Sequence, residues 1–156
     1  MPFWFAPEIN YEGVEDIRFA KGWETIDSDG FWKLVFAWDI RLKKKPTILF
    51  FEENLKHYFN GLMKVVNENE TITIPKTEVL IVEKKLEKGK LNFTGTVKTY
   101  DAFTTKKVIT LHVKIKVFYC TKTNNYMPLF KMAPKAFYHK TWEDLDKITL
   151  KNNTCN

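Results

Sequence analysis

Between Val108 and Cys120, apolar and polar residues alternate without a break. Ile109, Leu111, Val113, Ile115, Val117 and Tyr119 fall on one side of an extended chain, and Thr110, His112, Lys114, Lys116 and Phe118 on the other. Successive side chains of a strand point to opposite faces, so a strand with one apolar face must lie in a sheet whose apolar side is covered. A second periodicity supplies the cover. From Thr47 to about Val66, residues Ile48, Phe51, Leu55, Tyr58, Phe59, Leu62, Met63 and Val66 recur at three- and four-residue spacings, opposite Glu52, Glu53, Lys56, His57, Asn60 and Lys64. Thr47 is a suitable N-cap, Glu52 and Glu53 suit the positive end of the helix dipole, and Asn67 and Asn69 end the run.

The remaining segments read mostly as strands. Phe31–Leu42 follows the turn Asp27-Ser28-Asp29-Gly30 and places Trp32, Leu34, Phe36, Trp38 and Ile40 on one face. Glu78–Leu86 and Leu91–Tyr100 form a hairpin through Lys88-Gly89, and Tyr126–Met132 carries Pro128, which favours a sheet edge. Thr141-Trp142-Glu143-Asp144 resembles a capping box that opens a short helix from Trp142 to Ile148. At 156 residues the chain fits one domain: an irregular N-terminal arm over 1–30 with a short strand at Val14–Phe19, a core over 31–150 and a tail over 151–156. The expected class is α+β, in which a strand, one long amphipathic helix and a meander of about four antiparallel strands are followed by a short C-terminal helix.

That order of elements resembles the cystatin and NTF2-like arrangement, in which a curved sheet wraps a helix, and also the sandwiches of the PsbP and Mog1 type. The segment Ala6-Pro7-Glu8-Ile9-Asn10-Tyr11-Glu12-Gly13-Val14-Glu15-Asp16-Ile17-Arg18-Phe19-Ala20-Lys21-Gly22-Trp23, with the Trp32 to Trp38 strand behind it, resembles a group of uncharacterised bacterial proteins. Some of those proteins look exported, which adds weight to a processed origin. Such folds host binding proteins and enzymes alike, so the resemblance implies an architecture and no activity.

The net charge is +6, yet only Arg18 and Arg41 among the 25 basic residues are arginines. Arg supplies the bidentate fork that reads phosphates and base edges, so a surface of lysines argues for solubility over specific nucleic-acid recognition. Aromatic residues make up 15% of the chain, enough to fill a core and leave a surplus for a binding face. Cys120 and Cys155 form no CxxC motif. A disulfide between them would require an oxidising compartment and close Cα atoms. Read from Met1, the chain shows neither a basic n-region nor an apolar h-region. This implies a cytoplasmic protein if Met1 is the native start, and an exported one if a signal peptide has been removed. No apolar run is long enough for a transmembrane helix.

Motifs for chemistry are sparse. Ser28, the only serine, sits in a turn sequence and not in a nucleophile elbow, and the calcium ligands expected later in such a loop are replaced by Phe31, Trp32 and Leu34. His57, His112 and His139 form no metal-binding pair, no glycine-rich phosphate loop occurs, and no cofactor is expected. His112 shares a strand face with Lys114 and Lys116. Asp16 shares one with Arg18, most simply as a salt bridge stapling the arm to the sheet. His112 and Asp16 are therefore the candidate general bases, and Trp4, Trp23, Arg18, Phe137 and Trp142 the candidate ligand-binding residues. The primary expectation is a non-catalytic binding or structural module with an aromatic-rich face for a protein, carbohydrate or lipid. A small NTF2-like cavity enzyme and a weak lysine-mediated nucleic-acid binder are the alternatives.

Overall fold

The structure, a computed structural model, describes residues 3–85, 90–151 and Cys155. The expected Lys88-Gly89 turn and the last strand residue, Leu86, lie outside the described residues. The fold is α+β, with two helices and a six-stranded antiparallel sheet. In chain order the elements are β1 (Gly13–Phe19), β2 (Leu34–Ile40), α1 (Ile48–Val66), β3 (Glu78–Lys85), β4 (Leu91–Tyr100), β5 (Val108–Cys120), β6 (Asn125–Ala133) and α2 (Thr141–Lys147). The strands lie side by side in the order β1-β2-β6-β5-β4-β3.

Helix α1 begins where its cap residue dictates: Thr47 is extended, and its hydroxyl accepts the Phe50 N–H at 3.2 Å. The helix lays Phe51, Leu55, Tyr58, Phe59 and Met63 on the inner face of the sheet, where Leu34, Phe36, Trp38, Ile40, Phe93, Val97, Leu111, Val113, Ile115, Phe130 and Met132 are also buried. Ile48, at the first turn, is exposed instead. Phe36 sits at the centre of an aromatic stack, 4.4 Å from Phe130 and 5.5 Å from Tyr58 between ring centroids. The N-terminal arm closes one side of this core. Phe3 packs edge-on against Tyr58, and the Phe5 carbonyl lies so close to Gly61 that any Cβ there would collide with it.

The structure departs from the sequence pattern at the start of the first long strand, at β6 and at the second helix. The first long strand starts at Leu34, not Phe31, because Trp32 adopts a positive φ of 48° and the Lys33 N–H turns back to the Gly30 carbonyl. Strand β6 is internal, lying between β2 and β5, so Pro128 does not mark an edge. The β2 ladder reaches only from Met132 to Leu129, and Pro128 stands just beyond its end, where the missing N–H is tolerated. The second helix begins at Thr141, which is its first residue and not its cap: the cap position is Lys140, whose side chain makes no capping bond, and His139 Nδ1 accepts the Thr141 N–H at 3.1 Å.

The sheet's outer face is covered in its middle by α2, whose Trp142 and Leu145 pack on Val35, Leu129 and Ala133. Cys120, at the end of β5, is bonded to Cys155, with Cα atoms 5.5 Å apart. The bridge ties the tail to the sheet and constrains the unfolded chain by about 2–4 kcal/mol. No helix among the described residues is long and apolar enough to cross a membrane.

Candidate functional site

Strand parity and register place basic side chains together on the outer face. On β5, His112, Lys114 and Lys116 point outward, opposite the buried Leu111, Val113 and Ile115. The β5–β6 register sets Lys114 directly opposite Lys131, and the β4–β5 register sets it opposite Thr94 on the other side. One step along, Lys116 faces Asn92, which in turn faces Lys84 on β3. Together with Lys90 these residues line a groove of about 510 Å³. Among the described residues, five lysines and one carboxylate, that of Asp146 at the end of α2, border it.

Like charges directly across a strand pair destabilise a sheet, so the Lys114–Lys131 pairing needs compensation. Asp146 gives part of it. Its carboxylate meets Lys114 Nζ at 2.7 Å, and its backbone carbonyl accepts Lys131 Nζ at 3.2 Å. The Lys114 ammonium also lies 5.1 Å from the Trp142 ring centroid and 5.6 Å from that of Phe137. Lys131 remains the uncomfortable member. Burial pushes its pKa below the usual lysine value; Asp146 opposes the shift, and the nearby charges of Lys116 and Lys114 add to it.

The C-terminal aromatics form one wall beside this groove. Phe137 packs against His112 at 5.1 Å and against Trp142 at 4.9 Å. Three of the residues singled out in the sequence, His112, Phe137 and Trp142, therefore meet. Trp142 is buried and anchored by its indole N–H to the Lys135 carbonyl, so it supports the wall while Phe137 remains partly exposed.

The other candidates stand elsewhere. Asp16 and Arg18 pair with each other at 3.0 Å on β1, an exposed edge strand separated from His112 on β5 by β2 and β6. At a strand spacing of about 4.8 Å this is roughly 14 Å, too far for one acid–base pair. The arm aromatics do not form a common face. Trp4 is exposed, Phe3 is buried in the core, and Trp23 packs against Phe19, Trp32 and Phe103.

Two carboxylates carry perturbations that the sequence did not reveal. Glu15 points from β1 to the inner face, where its carboxylate accepts the Trp38 indole N–H at 3.2 Å. Burial raises its pKa, against smaller lowering by hydrogen bonds from Trp38 and Tyr58. Tyr58 is itself pushed well above the ordinary tyrosine value by burial, by the Glu15 charge and by its hydrogen bond to Glu15. Asp101, in the turn after β4, accepts the N–H groups of Phe103, Thr104 and Thr105 and the Thr105 hydroxyl. Burial alone would raise its pKa, but the hydrogen bonds from Thr105 and Thr104 together lower it. The Trp32 indole N–H, which meets no hydrogen-bond geometry, adds a smaller lowering. Asp101 thus organises a turn.

Among the described residues, no group of three or more His, Cys, Asp or Glu side chains gathers in a way that would hold a metal ion. Lys131, Lys84, Asn92 and Thr94 were missed in the sequence because only their strand parity was legible, and the register that makes them neighbours was not; Lys90 precedes β4 and carries no parity signal. In comparisons with known proteins, no family model, no curated protein and no solved structure matches the chain.

Proposed function

We propose that the chain is a non-catalytic binding module that takes a small, multiply anionic ligand, such as a phosphorylated metabolite, in the lysine groove on the outer face of the sheet. One observation carries this reading: Lys114 and Lys131, opposite each other on adjacent strands, lie beside Lys116, and among the described lining residues Asp146 alone carries a balancing charge. A bound anion would supply the missing charge and recover part of the cost of keeping Lys131 ionised. The volume of about 510 Å³ is in the range of small-molecule sites. Asn92 and Thr94 provide polar groups for orientation, and Phe137, beside Lys114, offers an apolar margin.

The aromatic-rich face is thus reduced to the His112–Phe137–Trp142 wall, a support to the groove. A cavity enzyme using His112 or Asp16 is less favoured, because the inner face is filled by the Phe36–Tyr58–Phe130 stack and the two groups stand far apart. Non-specific nucleic-acid binding uses the same lysines and remains the second reading, favoured by their point charges and lacking arginine forks. The Cys120–Cys155 bridge supports an oxidising, exported location for the protein.

Calorimetric titration with tripolyphosphate, beside a single-stranded oligonucleotide, tests the proposal. Tripolyphosphate should bind with an affinity that falls as salt rises, and Lys116→Glu should weaken it by roughly tenfold. Tripolyphosphate binding that ignores Lys116→Glu would contradict the site. Binding of the oligonucleotide alone would favour the second reading.

A further inference from the structure

The two edges of the sheet are finished differently. At β3, helix α1 intercepts the outward backbone groups: the Glu52 carboxylate accepts the Ile81 N–H at 2.9 Å, and the Asn60 side chain accepts the Thr77 N–H at 2.7 Å just before the strand. An edge interrupted in this way is a poorer template for another strand. At β1, hydrogen bonds from Ala20 N–H to the Lys33 carbonyl and from Arg41 N–H to the Glu12 carbonyl fix the phase of the β1–β2 ladder. Even-numbered residues face β2, and Glu15, Ile17 and Phe19 turn their backbone groups away from the sheet. Val14 and Phe19, both apolar, are exposed on this strand.

We propose that β1 pairs antiparallel with β1 of a second copy of this chain, joining two six-stranded sheets into one across a two-fold axis at Ile17. The charges choose the occupant and the register. With Ile17 opposite Ile17 of the partner subunit, Asp16 lies opposite Arg18 of the partner subunit and Arg18 opposite Asp16 of the partner subunit. These are non-hydrogen-bonded positions, where side chains approach most closely. The next symmetric registers, each a shift of two residues that keeps face parity, would set Asp16 opposite Asp16 of the partner subunit or Arg18 opposite Arg18 of the partner subunit. Both alternatives oppose like charges. In the isolated chain Asp16 and Arg18 bind each other at 3.0 Å while largely exposed, so both are available to the second copy at little desolvation cost. The outward backbone groups of Glu15, Ile17 and Phe19 supply the ladder, and Ile17 exchanges both of its bonds with its counterpart.

Sedimentation velocity over a concentration series tests the pairing by charge exchange. The unaltered chain should show a reversible monomer–dimer equilibrium. Asp16→Arg alone and Arg18→Asp alone should each weaken it by at least about tenfold, because every cross-pair becomes a like-charge pair. An equimolar mixture of the two variants should form a heterodimer, since each arginine then meets an aspartate. Circular dichroism confirms that these exposed substitutions leave the fold intact. Monomer at every concentration would overturn the proposal and leave the edge to a strand of another sequence. A dimer indifferent to both variants, or a mixture that fails to associate, would overturn it as well.

Discussion

The same strands build two unlike surfaces. On the inner face β2, β4, β5 and β6 contribute Phe36, Trp38, Phe93, Val113, Ile115 and Phe130, all buried against α1. On the outer face, one residue along, β4, β5 and β6 contribute Asn92, Thr94, Lys114, Lys116 and Lys131. The inner face is optimised for packing, with its aromatic rings stacked and tilted against one another. The outer face accepts an electrostatic cost, since lysines stand opposite each other and one is pushed toward neutrality. Stability is the concern of one surface, and a departure from it marks the other.

Substitutions should separate the two faces by size of effect. Phe36→Ala removes the ring that bridges Phe130 and Tyr58, and should destabilise the fold by about 3–5 kcal/mol in denaturant unfolding. A loss under 1 kcal/mol, on the order of a surface change, would break the contrast. Asp101→Ala strands the N–H groups of Phe103, Thr104 and Thr105 and should cost about 1–3 kcal/mol. Its pH dependence has a definite sign. The folded-state pKa lies below the unfolded value, so the Asp101 contribution is present above the unfolded value and lost as pH falls through the lowered folded one. The variant should therefore lose less stability than the unaltered chain when melted at acid pH. Smallest of all, Lys116→Glu on the outer face should change stability by no more than about 0.5 kcal/mol while weakening anion binding, the mark of a residue present for the ligand.

The sequence showed the inner face more clearly than the outer because burial imposes a period and binding does not. Leu111, Val113 and Ile115 on β5, and Phe51, Leu55, Phe59 and Met63 on α1, are apolar at regular spacings, and those spacings predict the covered sheet. The fold departs from the pattern where long-range pairing overrides a local signal. Pro128 reads as an edge residue, yet β6 crosses the centre of the sheet because the β2 ladder ends one residue earlier. Glu52 and Asn60 read as solvated helix residues, yet they bind backbone N–H groups at the β3 edge. Of the site, His112, Lys114 and Lys116 share a face by parity alone. Lys131 is 17 residues beyond Lys114 and becomes its neighbour only through the β5–β6 register. Glu15 was hidden for the same reason, since its partners Trp38 and Tyr58 come from β2 and α1.

Titration of the Lys131 ammonium by heteronuclear NMR, with and without tripolyphosphate, shows whether the crowded lysines await an anion. In the free protein Lys131 should release its proton at lower pH than an ordinary lysine, and the bound anion should move that release upward. Affinity should correspondingly fall as pH rises through the lowered Lys131 value. A Lys131 resonance whose titration is unchanged by a saturating anion would contradict the account.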